Sequence, residues 1–188
     1  MVVGGLLMAG LWLIYTTVHG PTSFDEVRAV LGGPTLFWGM LLGGIPNLLI
    51  AAGLVIPSSR LALATGRLAR FGYVLLLIGL IVPALIDLSI QALGPPFFLP
   101  VAAIGLTLVA WGPRLRPRVS RPSRVLLLVI GLLLATAFAW ALVPNRLTDP
   151  IGGYRIYGAM AHLGAGIGWA LFGISVRRAR APTPDVIS

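Results

Sequence analysis

The chain has 188 residues, of which 57% are hydrophobic and 10% charged, with a formal charge of +9 and a mean hydropathy of +0.96. Soluble domains carry about 25% charged residues, so this composition belongs to a protein whose solvent is lipid. All 14 basic residues are Arg, and there is no Cys. The absence of Lys excludes a retinal Schiff base, and the absence of Cys excludes thiol exchange, thiolate metal ligation and thioether haem attachment.

A hydrocarbon layer of about 30 Å takes roughly 20 apolar residues per helical crossing. Six such stretches are present, at residues 2–18, 35–56, 71–93, 96–111, 125–143 and 157–176. The expected architecture is therefore all-α: a polytopic membrane protein with a six-transmembrane-helix bundle as one domain over residues 1–180. A disordered cytoplasmic tail is expected over 181–188.

The first stretch has no basic leader and no small-x-small cleavage site before His19. It reads as an anchor rather than a removed signal. SFDE at 23–26 has the capping-box pattern and predicts a short helix lying in the headgroup region. PSSRLALATGRLAR at 57–70 predicts a second surface helix on the opposite side.

Arginines partition between loops. Arg60, Arg67 and Arg70 separate the second and third stretches, Arg114, Arg116, Arg118, Arg121 and Arg124 separate the fourth and fifth, and Arg177, Arg178 and Arg180 follow the sixth. The alternate loops hold only Arg28, Arg146 and Arg155. By the positive-inside rule both termini are cytoplasmic, and the expected location is the inner (plasma) membrane. Pro113, Pro117 and Pro122 break the fourth-to-fifth loop. Its arginines suit anionic lipid headgroups. Topology accounts for the basic charge, so no nucleic-acid partner is expected.

Three strongly polar side chains interrupt the apolar stretches: Asn47, Asp87 and His162. Each falls in a row of residues four apart, which share one helix face. The rows are Gly39, Gly43, Asn47, Ala51; Gly79, Pro83, Asp87, Gln91; and Gly158, His162, Gly166, Ala170. Small residues let helices approach closely in lipid, so these rows are expected to face protein, with the second, third and sixth crossings meeting at the bundle centre. At 1.5 Å per residue, Asp87 and His162 lie level, roughly 8 to 12 Å below the outer surface.

An aspartate at membrane depth costs about 2.5 to 3.5 kcal/mol on insertion scales and commonly has a partner or a function. His162 and Arg155 are the candidate partners of Asp87. The candidate binding or proton-relay set is thus Asp87, His162, Gln91, Asn47 and Arg155. Trp12, Trp38, Trp140, Tyr15, Tyr154 and Tyr157 lie toward the outer helix ends, where an interfacial belt is expected. Trp38, Trp140 and Tyr157 are the candidates from this group for lining a pocket.

Several chemistries fail on spacing. Ser89, two residues from Asp87, points to another face of the helix, so no Ser-His-Asp set forms on it. Ala161-His162 matches a pair in rhomboid proteases, yet their GxSG nucleophile motif is missing. HExxH and GxxxxGK are also missing.

Three functions follow as expectations. The first is a membrane protein that binds or translocates a small solute, ion or proton through a pocket in the outer half. The alternative is an accessory subunit docking partner membrane subunits. The third is a lipid-modifying enzyme or a haem-binding protein with His19 and His162 as ligands. Non-enzymatic function is favoured, and the sequence assigns no cofactor.

Overall fold

A computed structural model describes residues 1–19, 37–38, 40–61, 66–90, 96–112, 120–145, 147 and 153–178. Six apolar helical segments account for almost all of them. Helix α1 is Val2–His19. Helix α2 opens with a π-helical turn, Met40–Gly44, and continues as Ile45–Leu61. Helix α3 is Gly66–Ile90, α4 is Phe98–Trp111 and α5 is Arg121–Ala141. Helix α6 begins at Gly153–Gly158, passes through a second π-helical turn at Ala159–Gly164 and ends as Ala165–Arg178. No strand occurs among the described residues.

Three of these helices are long and apolar enough to cross a membrane: Gly66–Ser89, Arg121–Ala141 and Gly153–Arg177. Val2–Thr17, Met40–Val55 and Phe98–Trp111 are shorter apolar helices packed among them. Large apolar side chains such as Leu6, Leu13, Val74, Ile104, Leu132 and Leu171 point outward and are exposed. That girdle would be an aggregation surface in water and is the expected outer face of a bundle in lipid.

Every helix packs against its chain neighbours, and α6 returns to pack against α1, closing the ring. Small residues set the closest approaches. A Cβ added at Gly5 would strike the Gly166 carbonyl, and one at Gly166 would meet the Gly5 carbonyl, so α1 and α6 touch backbone to backbone. Gly72 and Gly105 do the same for α3 and α4, and Gly79 lies against Ala102. Packing of this kind, rather than hydrophobic exclusion, drives helix association in lipid.

The arginine-bearing half of the ring is filled. Ile50, Leu54, Leu76, Leu106, Ile130 and Phe172 belong to one buried cluster there. At its end the Ser120 hydroxyl caps α5, accepting from the Ser123 amide at 3.3 Å, with Pro122 in the first turn. Hydroxyl contacts of 2.8 Å run from Ser120 to Ser123 and on to Ser175, which donates to the Phe172 carbonyl.

Two expectations change. No separate surface helix spans 57–70: α2 continues to Leu61 and α3 already starts at Gly66. The apolar part of α2 ends at Val55, but the helix continues through Ser, Arg and Leu to Leu61. The second change concerns the small residues of the glycine rows, which were expected to bring the second, third and sixth stretches directly against one another. The α6 row packs on α1, with Gly158 against the Trp12 ring and Gly166 against Gly5. Part of the α3 row packs on α4 through Gly79. Small residues specify close approach without specifying the partner. The predicted capping-box helix at 23–26 and the tail at 181–188 lie outside the described residues.

Candidate functional site

The opposite half of the ring, where α6 begins, is hollow. A cavity of about 280 Å³ lies there, and all six helices contribute to its wall. Ligand pockets for drug-sized molecules span about 300 to 1,000 Å³, so this one suits a smaller guest.

Helix α3 supplies Asp87, which is 4% exposed. Its carboxylate lies against Gly43 in the π-helical turn of α2; a Cβ there would overlap Oδ2. Pro83, one turn earlier on α3, and Gly79, two turns earlier, also line the cavity. Helix α2 adds Asn47, one turn beyond Gly43, beside the buried Pro46. Proline withholds an amide from the helix ladder.

Helix α6 supplies His162 from within the second π-helical turn. Such turns shift side chains off the ordinary helical register and recur at functional sites. Trp12 stacks on the imidazole, centroids 5.2 Å apart and planes 24° apart, while Tyr157 meets its edge at 6.3 Å. His162 Nδ1 is buried and has no hydrogen-bond partner. Asp87 and His162 therefore line one cavity, but no hydrogen bond reaches Nδ1 to join them. Stacking on Trp12 fixes the plane of the imidazole ring.

Tyr154 and Tyr157 also line the cavity and lie within electrostatic range of the Asp87 carboxylate. Their rings stack at 6.0 Å. Phe98 from α4 and Trp169 from α6 extend the aromatic wall.

The remaining candidates fall elsewhere. Gln91 lies outside the described residues, as does the His19 side chain. Arg155 is exposed, is not part of the cavity wall and donates to the Thr16 carbonyl at 3.2 Å, in the last turn of α1. There it complements a helix C-terminus. Trp38 is buried against Tyr15, centroids 5.7 Å apart. Trp140 donates Nε1–H to the Gly153 carbonyl at 2.9 Å, tying the end of α5 to the start of α6. Neither tryptophan is among the cavity-lining residues; each has a ring or hydrogen-bond partner that holds it elsewhere.

The interfacial belt is likewise corrected. Trp12, Tyr15, Trp38 and Tyr154 are all buried and pack as one cluster inside the ring. Position near a helix end had suggested a belt; these rings instead turn inward because small residues, such as Gly158 opposite Trp12, leave room for them.

Sequence reasoning missed Trp169, Met8 and Tyr154 as wall residues. A signal existed for the first. His162, Ala165 and Trp169 are spaced three and four apart, which places them on one face. Among the described residues no group of three His, Cys, Asp or Glu side chains could hold a metal ion. Thr16, Thr17 and Thr107 bond to carbonyls of their own helices and take no part in the site. No family model, curated protein or solved structure matches the chain, so the functional reading rests on the cavity itself.

Proposed function

We propose that this is an integral membrane protein of the plasma membrane whose six apolar helices all cross the bilayer, with both termini cytoplasmic, and that the cavity in its outer half binds a small solute. One observation carries the reading. Asn47, Asp87 and His162, strongly polar side chains of three different apolar stretches, line the same cavity. A mostly apolar wall with a few convergent polar groups is the usual make-up of a ligand site. Sealing the bundle alone does not require a hollow around its costliest side chain.

Binding is favoured over open passage. Below the cavity the interior is closed by Ile50, Leu54, Leu76, Leu106, Ile130 and Phe172, and among the described residues no polar track continues through that layer. Translocation would need a second arrangement of the helices. The cytoplasmic arginines meet anionic lipid headgroups in this reading.

Native mass spectrometry of gently extracted protein tests it. The wild type is expected to carry a small adduct that Asp87→Asn loses while thermal unfolding and gel-filtration behaviour stay unchanged. Partner subunits in place of a small adduct, or loss of folding with no separable binding defect, would support an accessory-subunit role instead.

A further inference from the structure

We propose that the guest of this cavity is a small hydroxylated ring compound of the phenol class, its hydroxyl bonded to the His162 imidazole and its ring set among the aromatic residues of the wall. The inference rests on the binding reading above and names its ligand class.

His162 supplies the polar anchor. Its imidazole lines the cavity, and Nδ1 is buried without a hydrogen-bond partner. The contacts that hold the ring are aromatic: Trp12 stacks on its face with centroids 5.2 Å apart, and Tyr157 lies at 6.3 Å. Stacking engages the ring face and leaves the nitrogens, which lie in the ring edge, unsatisfied. Buried polar groups are nearly always hydrogen-bonded, and a polar group left without a partner is costly. An imidazole fixed in this way in the wall of a hollow points to a guest that completes it.

The chemistry of that guest follows from what the wall can exchange with it. A neutral imidazole presents one N–H donor and one acceptor nitrogen, and the side-chain amide of Asn47, on the same wall, also carries both kinds of group. A hydroxyl donates and accepts at once, so it matches either nitrogen of His162. A carbonyl only accepts, and an ammonium only donates.

The rings select the body of the guest. Phe98 from α4 and Tyr154, Tyr157 and Trp169 from α6 line the same space, and Tyr154 and Tyr157 stack at 6.0 Å. Aromatic pairs in stacked or edge-to-face arrangements gain more than the area they bury, a gain that an aliphatic alcohol of equal size forgoes. A volume of about 280 Å³, below the range for drug-sized ligands, suits a single ring with short substituents.

The test uses the full chain in lipid nanodiscs and fluorine NMR, with empty nanodiscs correcting for partition into lipid. The probes are 4-fluorophenol and 4-fluorotoluene, in which a methyl replaces the hydroxyl. The phenol is expected to bind at least about tenfold more tightly than the toluene, and cyclohexanol to compete about three- to tenfold more weakly than phenol. His162→Phe keeps a ring against Trp12 and removes both nitrogens, so it should erase the preference for the phenol. Phe98→Leu, at a half-buried position, should weaken both fluorinated probes while leaving that preference intact. Should His162→Phe not fold, nitrogen-15 labelling of histidine in His19→Gln, which leaves one imidazole, reads the contact directly: 4-fluorophenol should shift a ring-nitrogen resonance and 4-fluorotoluene should not.

Equal or tighter binding of the toluene, competition by cyclohexanol as strong as that by phenol, a phenol preference that survives His162→Phe, an unmoved imidazole resonance, or no binding of the phenol at millimolar concentration would each overturn the assignment. An adduct of another class in the mass spectrum of the wild type would leave the binding reading standing while this one falls. A wild type without any small adduct would remove the binding reading itself.

Discussion

Gly158→Ala gives the sharpest check on how the aromatic wall is held. A Cβ at this position would overlap the Cζ2 and Cη2 atoms of Trp12. Trp12 is 2% exposed and stacks on His162, so its ring has no free direction in which to retreat. Alanine improves intrinsic helix stability over glycine by about 0.8 to 1.0 kcal/mol, while forcing extra volume into a packed core costs about 1 to 3 kcal/mol. With a rigid indole as the obstacle, the upper part of that range applies, and a net loss of about 1 to 2 kcal/mol is expected.

Gly10→Ala on α1 is the control, because nothing lies within 4 Å of a Cβ there. It should keep the backbone gain of up to about 1 kcal/mol. Unfolding titrations in mixed SDS micelles would compare the two. Trp12→Phe removes the overlapping benzo atoms, so combining it with Gly158→Ala should recover most of the steric cost as a coupling energy. Equal stability of the two glycine variants, or strict additivity of Gly158→Ala with Trp12→Phe, would refute the placement of Trp12 against α6.

Two further outcomes follow from the same geometry. Gly43→Ala should displace the Asp87 carboxylate it faces and destabilise by about 1 to 3 kcal/mol; pairing it with Asp87→Ala should relieve part of that loss, measured by a double-mutant cycle. The proposed orientation can be read with single cysteines, since the chain has none of its own. Val143→Cys, exposed at the end of α5, should react with a membrane-impermeant maleimide in intact cells, and Ser188→Cys only after permeabilisation. The reverse pattern would invert the topology.

Helix positions were legible because apolar runs and their breaks are a one-dimensional signal. The stretches at 96–111 and 125–143 correspond to helices Phe98–Trp111 and Arg121–Ala141. Burial of the glycine rows was legible too. Gly43, Ala51, Gly79, Pro83, Gly158, Gly166 and Ala170 are all buried. Which neighbour each row meets was not, because a glycine advertises room for a partner and carries no label for it. Gly158 could have accepted any flat ring, and it took Trp12 from the other end of the chain. Trp38 and Trp140 illustrate the same limit, since a tryptophan near a helix end has the same local pattern whether it turns to lipid, to a cavity or to a backbone carbonyl.

The two π-helical turns tie these threads together. One carries Gly43, which faces Asp87, and the other carries His162, which lies against Trp12. Each turn accommodates one residue more than an α-helical turn would, so each sets which face of the following helix points inward. Downstream of the first, Asn47 lines the cavity and Ile50 is fully buried; downstream of the second, Ala165 and Trp169 line it. Straightening either turn would rotate its helix relative to these neighbours and carry the polar residue away from the wall. The hollow and its chemistry thus depend on the same local irregularities, which a reading based on regular 3.6-residue periodicity passes over.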